Sequence, residues 1–194
     1  MKRHHIIVCG SIGVGKTSVV RGMVDALPGA RPFFEERDLY LARFYAEPEK
    51  YAFLNQLAYS LQYLEQAVQI MGTPENVVQD RSIYDTHSVF SRWRLQTGLI
   101  DRDEFAMLDR IAQCSDSLAR PTLMVFLRAT VEVAMTRVAV RGTPTEVGLE
   151  AGFLQMLSAE YERWFGEFEV CRKLALNTDS DPVELVVEKI LSRL

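Results

Sequence analysis

Cysteine is scarce in this 194-residue chain: Cys9, Cys114 and Cys171 are the only three. They are odd in number, far apart and without a Cys-x-x-Cys pair, which excludes a disulfide framework. Cys9 and Cys171 fall in apparent strands and are expected as buried free thiols of a reducing cytosol. Histidine is as rare, and neither His4, His5 nor His87 has a partner at metal-ligand spacing, so no histidine metal site is assigned. No apolar run approaches the length of a membrane span. Lys2-Arg3 precede only four apolar residues before Gly10, too few for a signal peptide, and a cytoplasmic location is expected. Neither charge sign dominates: 22 Lys and Arg against 26 Asp and Glu leave a formal net charge of -4. That balance argues against a dedicated nucleic-acid binder, although a local basic lid is still allowed. Internal repeats and low-complexity segments are also missing.

What remains is an ordinary globular composition, 48% apolar and 25% charged, read most simply as one domain over residues 1–194 with a sizeable core. Its most informative stretch is Gly10-Ser11-Ile12-Gly13-Val14-Gly15-Lys16-Thr17, which fits Gly-x4-Gly-Lys-Ser/Thr. The context fits too. Ile6–Cys9 is short, apolar and β-branched like a buried strand, and Thr17 opens a helical stretch that stops at Pro28-Gly29. Glycines let the backbone turn several N–H groups toward one anion. The helix N-terminus adds its dipole, Lys16 a point charge, and the Thr17 hydroxyl a ligand for Mg²⁺.

Strands are expected at His5–Cys9, Pro32–Glu35, Asn76–Asp80, Thr122–Leu127 and Arg172–Leu176. Helices are expected at Lys16–Leu27, Glu49–Met71, Tyr84–Thr97, Asp101–Leu118, Val131–Val140, Glu150–Phe168 and Pro182–Arg193. Asp101 with Glu104, and Asp181 with Glu184, read as capping boxes. The alternation predicts an α/β fold with a five-stranded parallel sheet flanked by helices. Ligands of such sheets gather beyond the C-terminal strand ends, where this chain carries the phosphate loop, Glu35-Glu36, Asp80-Arg81-Ser82 and Arg128. A strand-end carboxylate near bound MgATP can act as general base or as metal ligand. Singly, Glu35 and Asp80 read as well as solvated acids capping helices. Arg81 could neutralise phosphoryl charge, and Arg137 and Arg141, one helical turn apart before Gly142, could form a movable arginine lid at about 137–148 or be two solvated arginines.

Taken in order, these residues resemble the deoxyribonucleoside kinases over nearly the whole chain. Gly10–Ser18 is similar to their phosphate loop, and Phe33-Phe34-Glu35 to the strand that ends in their catalytic glutamate. Tyr40–Tyr45, Glu47-Pro48 and Gln56 resemble their substrate helices, and Asp80–Tyr84 their Glu/Asp-Arg-Ser signature. Leu127-Arg128 and Arg137-x3-Arg141-Gly142 are similar to the strand and helix of their arginine lid, and Tyr161–Phe165 to the helix after it. The resemblance implies ATP-dependent transfer to the 5′-hydroxyl of a deoxynucleoside by a homodimer, with ATP and Mg²⁺ bound. It implies that Glu35 takes the hydroxyl proton, Arg81 sits at the 5′-oxygen, and Asp80 helps Thr17 order Mg²⁺. Tyr45 and Glu146 would hold the 3′-hydroxyl, Gln56 would pair with the base edge and Phe90 would stack on it. Without the resemblance, Gln56 and Phe90 read as ordinary helix residues, and the aromatics of Tyr51–Met71 as core or an interface helix.

Departures from the family pattern are visible. The segment between Glu35 and Tyr45 is short and lacks Asn-Pro, so Glu35 and Glu36 both stand as bases. Thr143 occupies a lid position that carries a further arginine in some members. Asp85-Thr86-His87 is unusual near the base, which leaves purine and pyrimidine both open. Three other readings compete. A thymidylate-kinase-type monophosphate kinase would need more arginines than Tyr45–Ala67 carries. A GTP-binding switch would need Asn-Lys-x-Asp, where Asn177-Thr178-Asp179 lacks the lysine. A non-catalytic nucleotide-binding adaptor is disfavoured by Lys16 and Thr17.

Overall fold

In the computed structural model, which describes residues 3–36, 40–143 and 149–194, the strands are β1 (His5–Cys9), β2 (Arg31–Phe33), β3 (Val77–Asp80), β4 (Leu123–Arg128) and β5 (Arg172–Asn177). They form one parallel sheet in the order β2-β3-β1-β4-β5. The expected α/β class with five parallel strands flanked by helices is what the chain adopts. The helices are α1 (Lys16–Ala26), α2 (Leu41–Ala46), α3 (Pro48–Met71), α4 (Ile83–Asp85), α5 (Arg92–Gln96), α6 (Arg102–Leu118), α7 (Val131–Arg141), α8 (Ala151–Glu167) and α9 (Val183–Leu191).

Two compact units divide the chain: residues 1–34, 73–81 and 120–194 form one, and residues 35–72 and 82–119 the other. The first holds the sheet. Alternation along the strands sends Ile6, Val8, Val78, Leu123, Val125 and Leu127 to one face, where they pack on Val19, Val20 and Met23 of α1 and Val186, Val187 and Ile190 of α9. The opposite face offers Phe126 to Tyr161 and Phe165 of α8, with ring centroids 5.8 and 4.9 Å apart. β1 and β3 are wholly buried, and β1 reads as an apolar run from Ile6 to Cys9. Pro32 is accommodated because β2 is an edge strand. The second unit is helical, with Phe44, Ala52, Ile100 and Leu108 at its centre.

Four local expectations shift. β2 stops at Phe33 rather than Glu35, and beyond it Tyr63 and Gln62 of α3 bond Glu35 and Glu36. The short helix α2 is missing from the helices expected from the chain's pattern, although the resemblance places Tyr40–Tyr45 in a substrate helix. The expected helix over 84–97 is broken by a wide π-helical stretch, Thr86–Ser91, between α4 and α5. Asp101 and Glu104 do form a capping box on α6. Asp181 does not cap α9, which starts behind Pro182, since its carboxylate accepts instead from Lys189 Nζ at 2.5 Å. All three cysteines are free: Cys9 is buried, Cys171 half-buried with its thiol pushed up to about 11 by burial, and Cys114 exposed.

Candidate functional site

In the sheet-bearing unit the chain leaves β1 at Cys9 and turns through Gly10, Gly13 and Gly15, which have φ of 141°, 82° and 90°. A Cβ on Gly10 would sit 2.4 Å from the Leu127 carbonyl oxygen, and one on Gly13 would sit 2.5 Å from that of Ala134 in α7. At Gly10 and Gly13 the loop therefore runs too close to β4 and α7 for any side chain. Gly15 precedes α1 without a side-chain cap, so the first N–H groups of α1 are left for an anion. Lys16 is buried and donates from Nζ to the Ser11 carbonyl at 2.7 Å. Ser11 Oγ is buried and has no hydrogen-bond partner among the described residues. A concave backbone, an ammonium group and an unpaired hydroxyl together fit a polyphosphate.

Thr17, next in α1, donates its hydroxyl to Asp80 Oδ2 at 2.6 Å. Asp80 closes β3 beside Val8 of β1 and is buried. A hydroxyl and a carboxylate oxygen in contact suit Mg²⁺, which keeps water and phosphate oxygens as its other ligands. Arg81 follows with φ 61°, the only described residue other than glycine in the left-handed region. Such a conformation costs about 1–3 kcal/mol and is held by its surroundings. Here Arg81 N–H donates to the Val8 carbonyl at 2.9 Å, and Nη1 donates to the Tyr161 hydroxyl at 2.6 Å. Tyr161, fully buried on α8, thus aims the guanidinium through a neutral partner.

Thr130 caps α7 and Gly142 ends it at φ 61°. Arg137 donates to Oγ1 of Thr178 at 3.0 Å and to its carbonyl at 2.5 Å, and the Thr178 hydroxyl in turn reaches the Val14 carbonyl at 3.0 Å. These bonds tie α7 and the end of β5 to the phosphate loop. A cavity of about 320 Å³ lies against that loop, lined by Gly13, Ser18, Arg137, Arg141, Thr178 and Asp181 among others. Arg128 sits at the end of β4 and pairs with Glu162 at 2.5 Å. Of the expected lid, Glu146 lies outside the described residues.

The helical unit carries the other candidates. Glu35 follows β2 by two residues, and its Oε2 accepts from the Tyr63 hydroxyl at 2.7 Å. The neighbouring Glu36 is exposed, and its backbone N–H and carbonyl are both bonded by the Gln62 amide at 3.1 Å. Gln56, 1% exposed, donates from Nε2 to the Thr86 carbonyl at 3.0 Å. Phe90 lies in the π-helical stretch, whose wider turn is a common local device at sites. Tyr45 is 42% exposed, with its ring 5.6 Å from that of Phe44. Arg94 is buried, donates to Asn55 Oδ1 at 2.8 Å and lies over the Phe44 ring. His87 is 3.1 Å from Asp109 and stacks on Phe105, and burial lowers its pKa despite the carboxylate.

The structure thus gathers Lys16, Thr17, Asp80, Arg81, Arg137 and Arg141 in one unit, and Glu35, Tyr45, Gln56 and Phe90 in the other. Sequence reading missed Tyr63, Tyr161, Thr178 and Asp181 as members of these groupings. Tyr161 stood inside a stretch already marked by resemblance. Tyr63 carries no local signal that separates it from a core aromatic.

A parallel sheet with a phosphate loop after its central strand, a carboxylate closing the next strand and an arginine-bearing helix beside the loop defines a phosphate-loop kinase. The chain belongs to the deoxynucleoside kinase family, whose model matches residues 6–193. It is 26% identical to the deoxyadenosine/deoxycytidine kinase of Bacillus subtilis, over 99% of this chain and 96% of that protein. The deoxyadenosine kinase of Dictyostelium discoideum is 33% identical over 82% of this chain and 66% of its own length. The deoxyguanosine kinase of Lactobacillus acidophilus is 27% identical over 97% of this chain and 90% of its own. The fold matches the solved deoxyadenosine kinase from M. mycoides with products dCMP and a flexible dCDP bound, at a TM-score of 0.82, 16% identity and 97% coverage of both chains. The chain is a transferase that phosphorylates deoxynucleosides to deoxynucleoside monophosphates. Membership sets aside the monophosphate-kinase, switch and adaptor readings. Among the described residues, no helix is long and apolar enough to cross a membrane.

Proposed function

We propose that the chain transfers the γ-phosphate of MgATP to the 5′-hydroxyl of a purine deoxynucleoside, in the cytoplasm and as a homodimer. The observation that carries this reading is the glycine cradle around Lys16, with the Thr17–Asp80 pair at its edge. The purine preference follows the curated relatives that are deoxyadenosine and deoxyguanosine kinases.

In the proposed reaction the 5′-oxygen attacks the γ-phosphorus and the new O–P bond forms as the bond to the β,γ-bridging oxygen breaks. ADP leaves, and the hydroxyl proton passes to the Glu35 carboxylate. An alcohol is a poor nucleophile at neutral pH, so a carboxylate that orients it and accepts its proton lowers the barrier. Gly10–Ser18 would wrap the phosphates through backbone N–H groups, and Lys16, Arg81, Arg137 and Arg141 would offset the charge that spreads over the transferring group. Mg²⁺, held by Thr17 and Asp80, would neutralise charge on the phosphate oxygens. Tyr45 and Glu146 would hold the 3′-hydroxyl, Gln56 would present donor and acceptor to the base edge and Phe90 its ring to the base face.

One assay tests this: phosphorylation of the four deoxynucleosides and of their monophosphates with MgATP. Deoxyadenosine or deoxyguanosine is expected to give the highest kcat/KM. Faster turnover of monophosphates would overturn the acceptor assignment, and a pyrimidine optimum would overturn the purine preference alone.

A further inference from the structure

Glu35 lies just past the end of its strand, so something other than the sheet must hold its carboxylate. Two consecutive residues of α3 meet that need. The Tyr63 hydroxyl donates to Glu35 Oε2 at 2.7 Å, while the Gln62 amide bonds both backbone polar groups of Glu36 at 3.1 Å. Tyr63 is 1% exposed and is anchored in a 24-residue helix, so its ring has little freedom. We propose that Tyr63 is a positioning residue for the general base. The phenol holds Oε2 and Gln62 holds the adjacent backbone, so α3 sets the orientation of the carboxylate. This rests on the reading of Glu35 as base. It explains as well why Glu35 rather than Glu36 would serve, since the clamp holds one carboxylate and leaves its neighbour in solvent.

Removing the phenol oxygen releases the carboxylate without emptying the ring's place in the core. A lost hydrogen bond to a charged group and a loosened base both act on turnover more than on nucleoside binding. Tyr63→Phe is expected to lower kcat by roughly 5- to 50-fold, with KM for the deoxynucleoside within about threefold of wild type. Its Tm and its thermal stabilisation by ATP should stay close to those of wild type, which shows that the variant is folded. In the Glu35→Gln background, measured by single turnover at high enzyme concentration, the same substitution should cost less than about twofold, because the carboxylate it positions is gone.

A Tyr63→Phe enzyme with kcat within about twofold of wild type, beside a Glu35→Gln enzyme that is severely slowed, would overturn the positioning role and leave the base assignment standing. An equal loss in both backgrounds would overturn it too, because Tyr63 would then act independently of Glu35. A Glu35→Gln enzyme slowed by less than about tenfold would reject the base reading itself, and the positioning role with it.

Discussion

Glu35 and Glu36 are adjacent carboxylates in different surroundings. The Tyr63 phenol holds the first, whereas the second points its side chain to solvent. If Glu35 is the base, Glu35→Gln keeps the size of the side chain but cannot accept a proton. Steady-state kinetics should then show a fall in kcat of roughly 10²–10⁴-fold, the usual range for a lost general base. Glu36→Gln is expected to cost less than about threefold. Exchanged behaviour would assign Glu36. The candidacy of both residues was legible from their place after an apolar strand. Their difference was not, because it is set by a helix 26 to 28 positions further along the chain.

The phosphate loop and α7 are in close contact at Gly13 and Ala134. Gly13 passes the Ala134 carbonyl with no room for a methyl group and has φ 82°. Gly13→Ala would force both a strained backbone and a displaced α7, the helix that carries Arg137 and Arg141. A stability loss of about 1–3 kcal/mol is expected by thermal unfolding, together with a KM for ATP raised by at least about tenfold. Unchanged KM would show that this close approach does not shape the donor site. The Gly-x4-Gly-Lys-Thr pattern announced the loop, but not what each glycine must avoid. In the same way, apolar periodicity predicted one helix over 84–97 and missed the π-helical stretch. There the distant Gln56 donates to the Thr86 carbonyl, and a local capping box at Ser82 and Asp85 precedes the stretch.

For the whole molecule, the exposed apolar residues of α3 matter first. Leu54, Leu61 and Val68 recur every seven residues at 38%, 42% and 50% exposure, with Met71 at 56% just beyond. Such a stripe suits a helix packed on its counterpart in a second copy. The expected homodimer should sediment at twice the chain mass and revert to monomer in Leu61→Glu; a monomeric wild type would reject it. Acid stability is a second global property. Burial is the largest influence on both His5 and His87 and lowers both pKa values, opposed by a hydrogen bond to Gln79 in the first and by Asp109 in the second. The unfolded imidazoles titrate near 6.5. Below that pH the unfolded chain binds protons that the folded chain does not, so these groups favour unfolding as pH falls from about 6.5 through the folded values. Tm should therefore drop between about pH 7 and pH 5.5, and drop less in a His5→Gln/His87→Gln variant. Equal slopes in the two proteins would exclude the histidines as the cause.

By itself the sequence determined the fold class, the order of the strands along the chain, the phosphate loop and the family. These rest on local physics: glycines that permit a tight turn, apolar runs short enough for buried strands, and residue order around them. Only the tertiary structure decided which groups hold the reactive side chains. Tyr63 reaches Glu35 across 28 positions, Arg137 reaches Thr178 across 41 and Arg81 reaches Tyr161 across 80. A hydrogen bond between residues so far apart leaves no periodic trace, because either partner alone looks like an ordinary core aromatic, threonine or arginine until the fold brings them within 3 Å.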